Sequence, residues 1–443
     1  MCMGIYSGEL SALGGTWQGT RMRLRGAPLF GLVAGVGYLT RDAFAAIWRW
    51  LFDLADIPFA WFAFDLLGFA ALGAFGWTFA VKRTSPFALY TLALLPISVV
   101  VAALTVDSDP AFLGAAVKMI VPLYAGWCLA GVDLPAMLRV RRVLFVICLA
   151  SIFGIALDAL MDFPWSGLSV DQFGVSKTVD KVWSIDSVTR VGGFAGESTA
   201  AAAVALFAWL MIHRKVAPAL SVILGICVAA ACYVATSRTA LGVAVLATGW
   251  IAAEAWLLAG LRSKSAHRFL ATCSFALVFL PLVLVASASA LSFAEMSTSL
   301  TSFEQRIEAS WQYPFALLAQ RSPVSLATGC GLGCLNFPAR YSEWASLLQP
   351  VDNFYILSFA MFGLFFVPVL AVLVLTAAKG DDRTKLLLIA TINLYTFFLE
   401  GFSPSFTLFT IGYATSGMHL LQLGRSVSGK RAQGRFEDFQ TAA

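Results

Sequence analysis

Charge is scarce in this chain. Only 12% of its 443 residues are Asp, Glu, Lys or Arg, while 59% are hydrophobic. That balance excludes both an ordinary soluble domain and a charged disordered chain. Histidine is scarcer still: His213, His267 and His419 are the three copies. There is no P-loop, which disfavours ATP-driven transport, and no nucleophile elbow. Metal-dependent transfer from nucleotide sugars is not expected, and neither is a nucleic-acid partner. No soluble domain, internal repeat or long low-complexity run stands out. The first 20 residues are polar and rich in Gly and Ser, so no cleavable signal peptide is expected, and Met22 reads as an alternative start.

What the chain does have is long apolar runs. A span needs about 20 mostly apolar residues. Twelve stretches qualify, at roughly 28–48, 58–80, 85–105, 111–131, 140–160, 191–212, 216–236, 239–260, 268–289, 352–377, 384–401 and 404–423. The first carries Arg41 and Asp42, and the eleventh is short and ends at Glu400, so these two are the weakest. Basic residues collect in alternate loops, at Arg21 to Arg25, Lys82-Arg83, Arg139 to Arg142, Arg214-Lys215, Arg262 to Arg268, Lys379 to Lys385 and Arg425 to Arg435. The positive-inside rule then puts both termini in the cytoplasm, as an even span number requires. The expected fold is an all-α integral membrane protein of about 12 transmembrane helices in the bacterial inner membrane. Residues 1–27 and 424–443 read as cytoplasmic tails, 28–423 as the membrane domain, and 290–351 as a large outer loop within it.

That loop and a second one, from about Met161 to Thr189, are long enough to suggest function. In the larger, Thr301-Ser302-Phe303-Glu304 fits a capping box. Phe303, Ile307, Trp311 and Phe315 or Leu318 then recur every three or four residues, which predicts a helix lying in the membrane interface. Gly329-Cys330-Gly331-Leu332-Gly333 lacks a strand–helix context and reads as a flexible turn. Of the eight cysteines, Cys330 and Cys334 alone fall in an outer loop, where a disulfide and two free thiols are both open readings. The cysteines in or beside spans read as small apolar packers.

With this topology each charge has a depth. Lys118 lies a third of the way into the fourth span from outside, and Asp65 in the outer half of the second. Arg190 and Glu197 open the sixth span, Arg238 the eighth and Asp352 the tenth; Glu400 closes the eleventh. Glu254 is the exception, near the cytoplasmic end. Charge in hydrocarbon is costly and tends to mark function. Taken singly, Arg190 also reads as a headgroup anchor and Lys118 as a structural partner of Asp65. Together, cations and carboxylates on one side suit a lipid diphosphate, since the guanidinium fork pairs with phosphate. All three histidines map to the cytoplasmic side, so a base at the outer site falls to Asp352 or Glu197. Asp352 reads equally as the N-cap of the helix it precedes.

These residues resemble a known family. Arg190-Val191-Gly192-Gly193-Phe194-Ala195-Gly196-Glu197 is similar to a motif that opens a span in the O-antigen ligase and Wzy-type polymerase family. Thr236-Ser237-Arg238-Thr239-Ala240 resembles its short Ser-Arg turn. Arg306, Trp311, Gly329 to Gly333, Asp352-Asn353-Phe354-Tyr355 and Phe362-Gly363-Leu364 follow in the family's order. The resemblance covers about residues 110–380. It implies a glycosyltransferase C-like enzyme that takes a glycan from undecaprenyl diphosphate at the periplasmic face, without metal or nucleotide. It further implies that Arg190 and Arg238 bind the diphosphate, with Arg306 assisting; Lys118 as a further cation and Asp352 or Glu197 as base rest on the charge placement alone. Many ligases and some polymerases have His at the position before the Asn, where this chain has Asp352; the departure weakens the ligase reading and leaves a polymerase of O-antigen, capsule or exopolysaccharide as the favoured one. A ligase that attaches finished glycan to lipid A core or protein is the alternative, and a transporter of a polar solute or lipid-linked glycan the second. A chain-length regulator and a flippase are the expected partners.

Overall fold

The computed structural model describes residues 24–106, 109–172, 175–180, 184–185, 188–287, 306–321 and 323–417. The chain is a bundle of apolar helices. Helix α1 (Ala27–Ala43) turns by 83° into α2 (Ala45–Leu54). Then come α3 (Ala63–Phe75, within an apolar stretch from Pro58 to Lys82), α4 (Pro86–Val106), α5 (Pro110–Trp127) and α6 (Leu138–Asp158). Two small antiparallel hairpins follow, β1 (Ser169–Gln172) with β2 (Val175–Thr178), and β3 (Ser184–Ile185) with β4 (Val188–Thr189). The chain continues through α7 (Ser198–Ile212), α8 (Pro218–Val234), α9 (Arg238–Ala252), α10 (Lys264–Ser274) and α11 (Ala276–Ser287). It ends in α12 (Tyr313–Arg321), α13 (Pro323–Thr328), α14 (Phe354–Phe362), α15 (Phe366–Lys379), α16 (Arg383–Thr396) and α17 (Ser405–Thr415).

Among the described residues, seven helical stretches are long and apolar enough to cross a membrane, or eight if the bent α1–α2 pair is one crossing. The expectation of twelve differs for a physical reason. Helices α7, α16 and α17 have 15, 14 and 11 residues and are buried almost throughout, α7 without a break from Ala200 to Ile212. A helix ringed by protein need not carry its own 20-residue apolar run, because neighbouring chain, not lipid, meets its broken ends. Small residues bring the inner helices close. A side chain on Gly126 of α5 would meet the Phe409 carbonyl of α17 at 2.3 Å, and one on Gly412 the Leu123 carbonyl at 2.2 Å.

The described part of the long loop expected to be outer runs into the bundle. After α13 the chain dives between α4 and α14. The Cys330 and Gly331 N–H groups donate to the Ala360 and Met361 carbonyls at 2.9 and 3.0 Å, and Leu332 N–H to the Ser98 carbonyl, mid-α4, at 3.0 Å. These bonds complete backbone groups that the break at Gly363 leaves open. Gly331 sits at φ +88°, and a side chain there would lie 2.1 Å from the Ala102 nitrogen. The glycine-rich stretch is thus a buried plug and not a flexible turn. Cys330 and Cys334, both buried, are joined as a disulfide.

The predicted interfacial helix also differs. Its capping box at 301–304 lies outside the described residues. Its apolar stripe faces protein: Ile307, Trp311 and Leu318 are buried, with Trp311 5.5 Å from the Phe397 ring. The helix that lies crosswise is α2, which leaves Leu51 and Leu54 exposed.

Candidate active site

One end of the bundle gathers most of the predicted residues. Arg41, in the last turn of α1, is buried and pairs through Nε with Asp42 at 3.0 Å and through Nη1 with Asp65 of α3 at 2.8 Å. Its Nη2 donates to the Ser405 hydroxyl at the start of α17. The second Asp42 oxygen accepts the Phe406 N–H at 2.7 Å, and the second Asp65 oxygen faces Lys118 Nζ of α5 at 3.2 Å. Four helices are therefore tied by one charge network. Buried charges persist when each has a partner and its remaining hydrogen bonds are filled. Arg41 and Asp42, which weakened the first span on sequence grounds, are its centre. Lys118 keeps its structural reading and remains 30% exposed on its free side.

The Arg190–Glu197 segment packs beside this network. The Asp158 carboxylate, at the end of α6, accepts the Gly192 and Gly193 N–H groups at 2.8 and 2.7 Å and holds the turn in shape. Gly196, at φ +68°, lies against the Val179 carbonyl and Ala46 of α2, and Phe194 stacks on Phe44 at 6.1 Å. Glu197 accepts the Thr199 hydroxyl at 3.1 Å and acts electrostatically on Arg49 of α2. Arg49 was not foreseen. Its guanidinium stands 4.5 Å over the Trp61 ring, and its buried Nε has no hydrogen-bond partner among the described residues. The Arg190 Nε is buried and unpartnered in the same way.

The second group forms where Arg306 meets the start of α14. Asn353, fully buried, is the N-cap: its Oδ1 accepts the Tyr355 and Ile356 N–H groups at 3.0 and 2.9 Å, and its amide donates to the Phe397 carbonyl. The capping role expected for Asp352 thus belongs to its neighbour, and the Asp352 carboxylate is left for other work. It pairs with Arg306 Nη1 at 3.0 Å, while its N–H donates to Ser310. Arg306 also donates to the Phe398 carbonyl at 3.2 Å. Burial raises the Asp352 carboxyl above its ordinary value, and the charges of Arg306 and then Arg190 pull it back. A carboxylate poised this way, paired with one guanidinium and within electrostatic reach of a second, can accept a proton while the arginines hold an anion.

Comparison with known proteins gives no family model, no characterised protein and no solved structure that matches this chain.

Not every expected residue joins these groups. Arg238 begins α9 at the same end but is exposed, and it has no ion pair or side-chain hydrogen bond among the described residues. His213 and His267 lie at the other end, where His267 Nε2 stands 3.5 Å from Glu254 and Arg214 pairs with Glu254 at 2.5 Å; His419 lies outside the described residues. The sequence does hold one Asp-x-Asp triplet in an expected outer loop, Asp107-Ser108-Asp109. Its described member, Asp109, is the N-cap of α5 and accepts the Ala111 N–H at 2.7 Å. The signal that would have found Arg41, Asp42 and Arg49 was their placement at the expected outer end of a first span doubted because of its charges.

Proposed function

We propose that this protein is a membrane glycan polymerase that joins lipid-linked repeat units at the periplasmic face. The single observation that carries the reading is the Arg306–Asp352 pair, with Arg190 acting on it, beside an Asn353 that has taken over the capping duty. In this reading the shorter buried helices complete twelve crossings, both termini are cytoplasmic, and the Arg306 end faces the periplasm of a bacterial inner membrane. The Cys330–Cys334 disulfide supports that orientation, because such bonds persist on the oxidising side.

The step balances without a further reactant. A hydroxyl oxygen of the acceptor glycan attacks the anomeric carbon of the donor glycan. The bond from that carbon to the diphosphate oxygen breaks, and its electron pair leaves on undecaprenyl diphosphate. Asp352 takes the hydroxyl proton, with Glu197 as the second candidate. Arg190 and Arg306 hold the diphosphate and stabilise the growing charge, with Arg238 completing the set. Arg306 must loosen from Asp352 as it engages the diphosphate, so donor binding itself frees the base.

Purified protein in proteoliposomes, given lipid-linked repeats, tests this. Arg190→Gln and Arg306→Gln each lower polymer formation by about 100-fold or more. Full activity in both variants removes the mechanism. Transfer of finished glycan to another acceptor, with no ladder of repeats, points to a ligase instead.

A further inference from the structure

Joining two lipid-linked glycans brings two diphosphates to one protein at once, and the Arg190–Arg306 group accounts for one. We propose that Arg49, with Lys118, forms a second anion site that takes the diphosphate of the acceptor lipid. This rests on the polymerase reading above. Arg49 is a cation in search of an anion. Arg41 already spends its guanidinium on Asp42, Asp65 and Ser405. Arg49 has no ion pair or side-chain hydrogen bond among the described residues, and its buried Nε is unfilled.

Its surroundings add positive charge. Arg41 lies 5.4 Å from the same Trp61 ring that Arg49 covers at 4.5 Å, and Lys118 lies 4.6 Å from the adjacent Phe62 ring. The charges of Arg41 and Arg49 both act on Lys118. Arg41 and Lys118 thus share the carboxylates Asp42 and Asp65, and Glu197 acts electrostatically on Arg49. A buried donor left unfilled is costly, and a phosphate oxygen would fill it. Lys118 uses one of its three donors on Asp65 and keeps an exposed side. The Trp61 face holds the Arg49 fork in place. Finally, α2 lies crosswise to α1 with Leu51 and Leu54 exposed, which sets Arg49 where a lipid phosphate arrives from the side.

The test is calorimetric titration of the full chain, in phosphatidylcholine nanodiscs, with geranyl diphosphate. Wild type binds two equivalents. Arg49→Gln binds one, Arg306→Gln loses the other, and Arg49→Lys keeps both with the second about tenfold weaker, since charge remains but the fork is gone. Arg49→Lys also serves if Arg49→Gln fails to fold. One equivalent in wild type, lost in Arg306→Gln and untouched by Arg49→Gln, overturns the second site and leaves the polymerase reading standing. Displacement of the Arg49-dependent equivalent by phosphatidylglycerol at matched phosphate overturns the acceptor assignment in favour of a bilayer headgroup. Two equivalents without polymer from lipid-linked repeats keep the anion site but overturn its acceptor role and the polymerase reading.

Discussion

Asn353 and Asp352 are adjacent, and either side chain is chemically able to cap α14. The cap goes to Asn353 because its amide also donates to the Phe397 carbonyl, which a carboxylate cannot do. Asp352 then meets Arg306. The consequence is a pH dependence with a definite sign. The base must be ionised, so polymer formation falls as pH drops through the Asp352 value. That value is raised by burial, so the fall begins at higher pH than an ordinary carboxylate would give. Arg306→Gln removes a charge that lowers it, and the midpoint of the residual activity shifts to still higher pH. A pH–rate profile of wild type and variant checks this; identical midpoints would remove Asp352 as the base. The same raised value means the folded chain holds this proton more tightly than the unfolded one. Its contribution to stability is therefore present at low pH and fades as pH rises through the folded value.

At the scale of elements, the dive of residues 329–335 between α4 and α14 is the least expected feature. Periodicity does not reveal it, since the stretch has no helical or strand pattern. Its glycines were legible as a turn, but which backbone they would touch was not. A contrast of two glycines tests the packing. Both Gly167 and Gly331 hold left-handed backbone, yet a side chain at Gly167 meets nothing within 4 Å, while at Gly331 it would strike the α4 backbone. Gly167→Ala costs about 1–2 kcal/mol, the local strain alone. Gly331→Ala costs clearly more, because α4 backbone has no side chain to rotate away. Equal losses of thermal stability in the two variants would place the plug elsewhere. The stripe of Ile307, Trp311 and Leu318 makes the related point. The periodic pattern foretold a one-sided helix, and only the packing decided that its apolar side faces Phe397 and not lipid.

At the scale of the molecule, the two ends differ in how they use charge. The end with Glu254 and Asp381 pairs Arg214, Lys264 and Arg268 with carboxylates at short range, while at the Arg49–Arg306 end the buried Arg49 and Arg190 Nε atoms are unfilled among the described residues. If the first end is cytoplasmic, exposed positions on each end label from opposite sides. With Cys2, Cys227 and Cys273 replaced by Ala, Gln349→Cys reacts with a membrane-impermeant maleimide in intact spheroplasts and Ser265→Cys only after lysis. The reverse pattern inverts the topology.

The sequence by itself determined that this is a bundle of apolar helices, and it led us to expect the charges placed within spans toward one end. Composition and run length suffice for that, because burying charge in hydrocarbon costs too much to be accidental. It also marked Arg190, Lys118, Arg306 and Asp352 as worth placing. Only the tertiary structure decided which charges are spent on one another, as in Arg41, Asp42, Asp65 and Lys118, and which keep a buried Nε unfilled among the described residues, as in Arg49 and Arg190. Pairing depends on ångström distances between separate helices, and no pattern along a single chain encodes those.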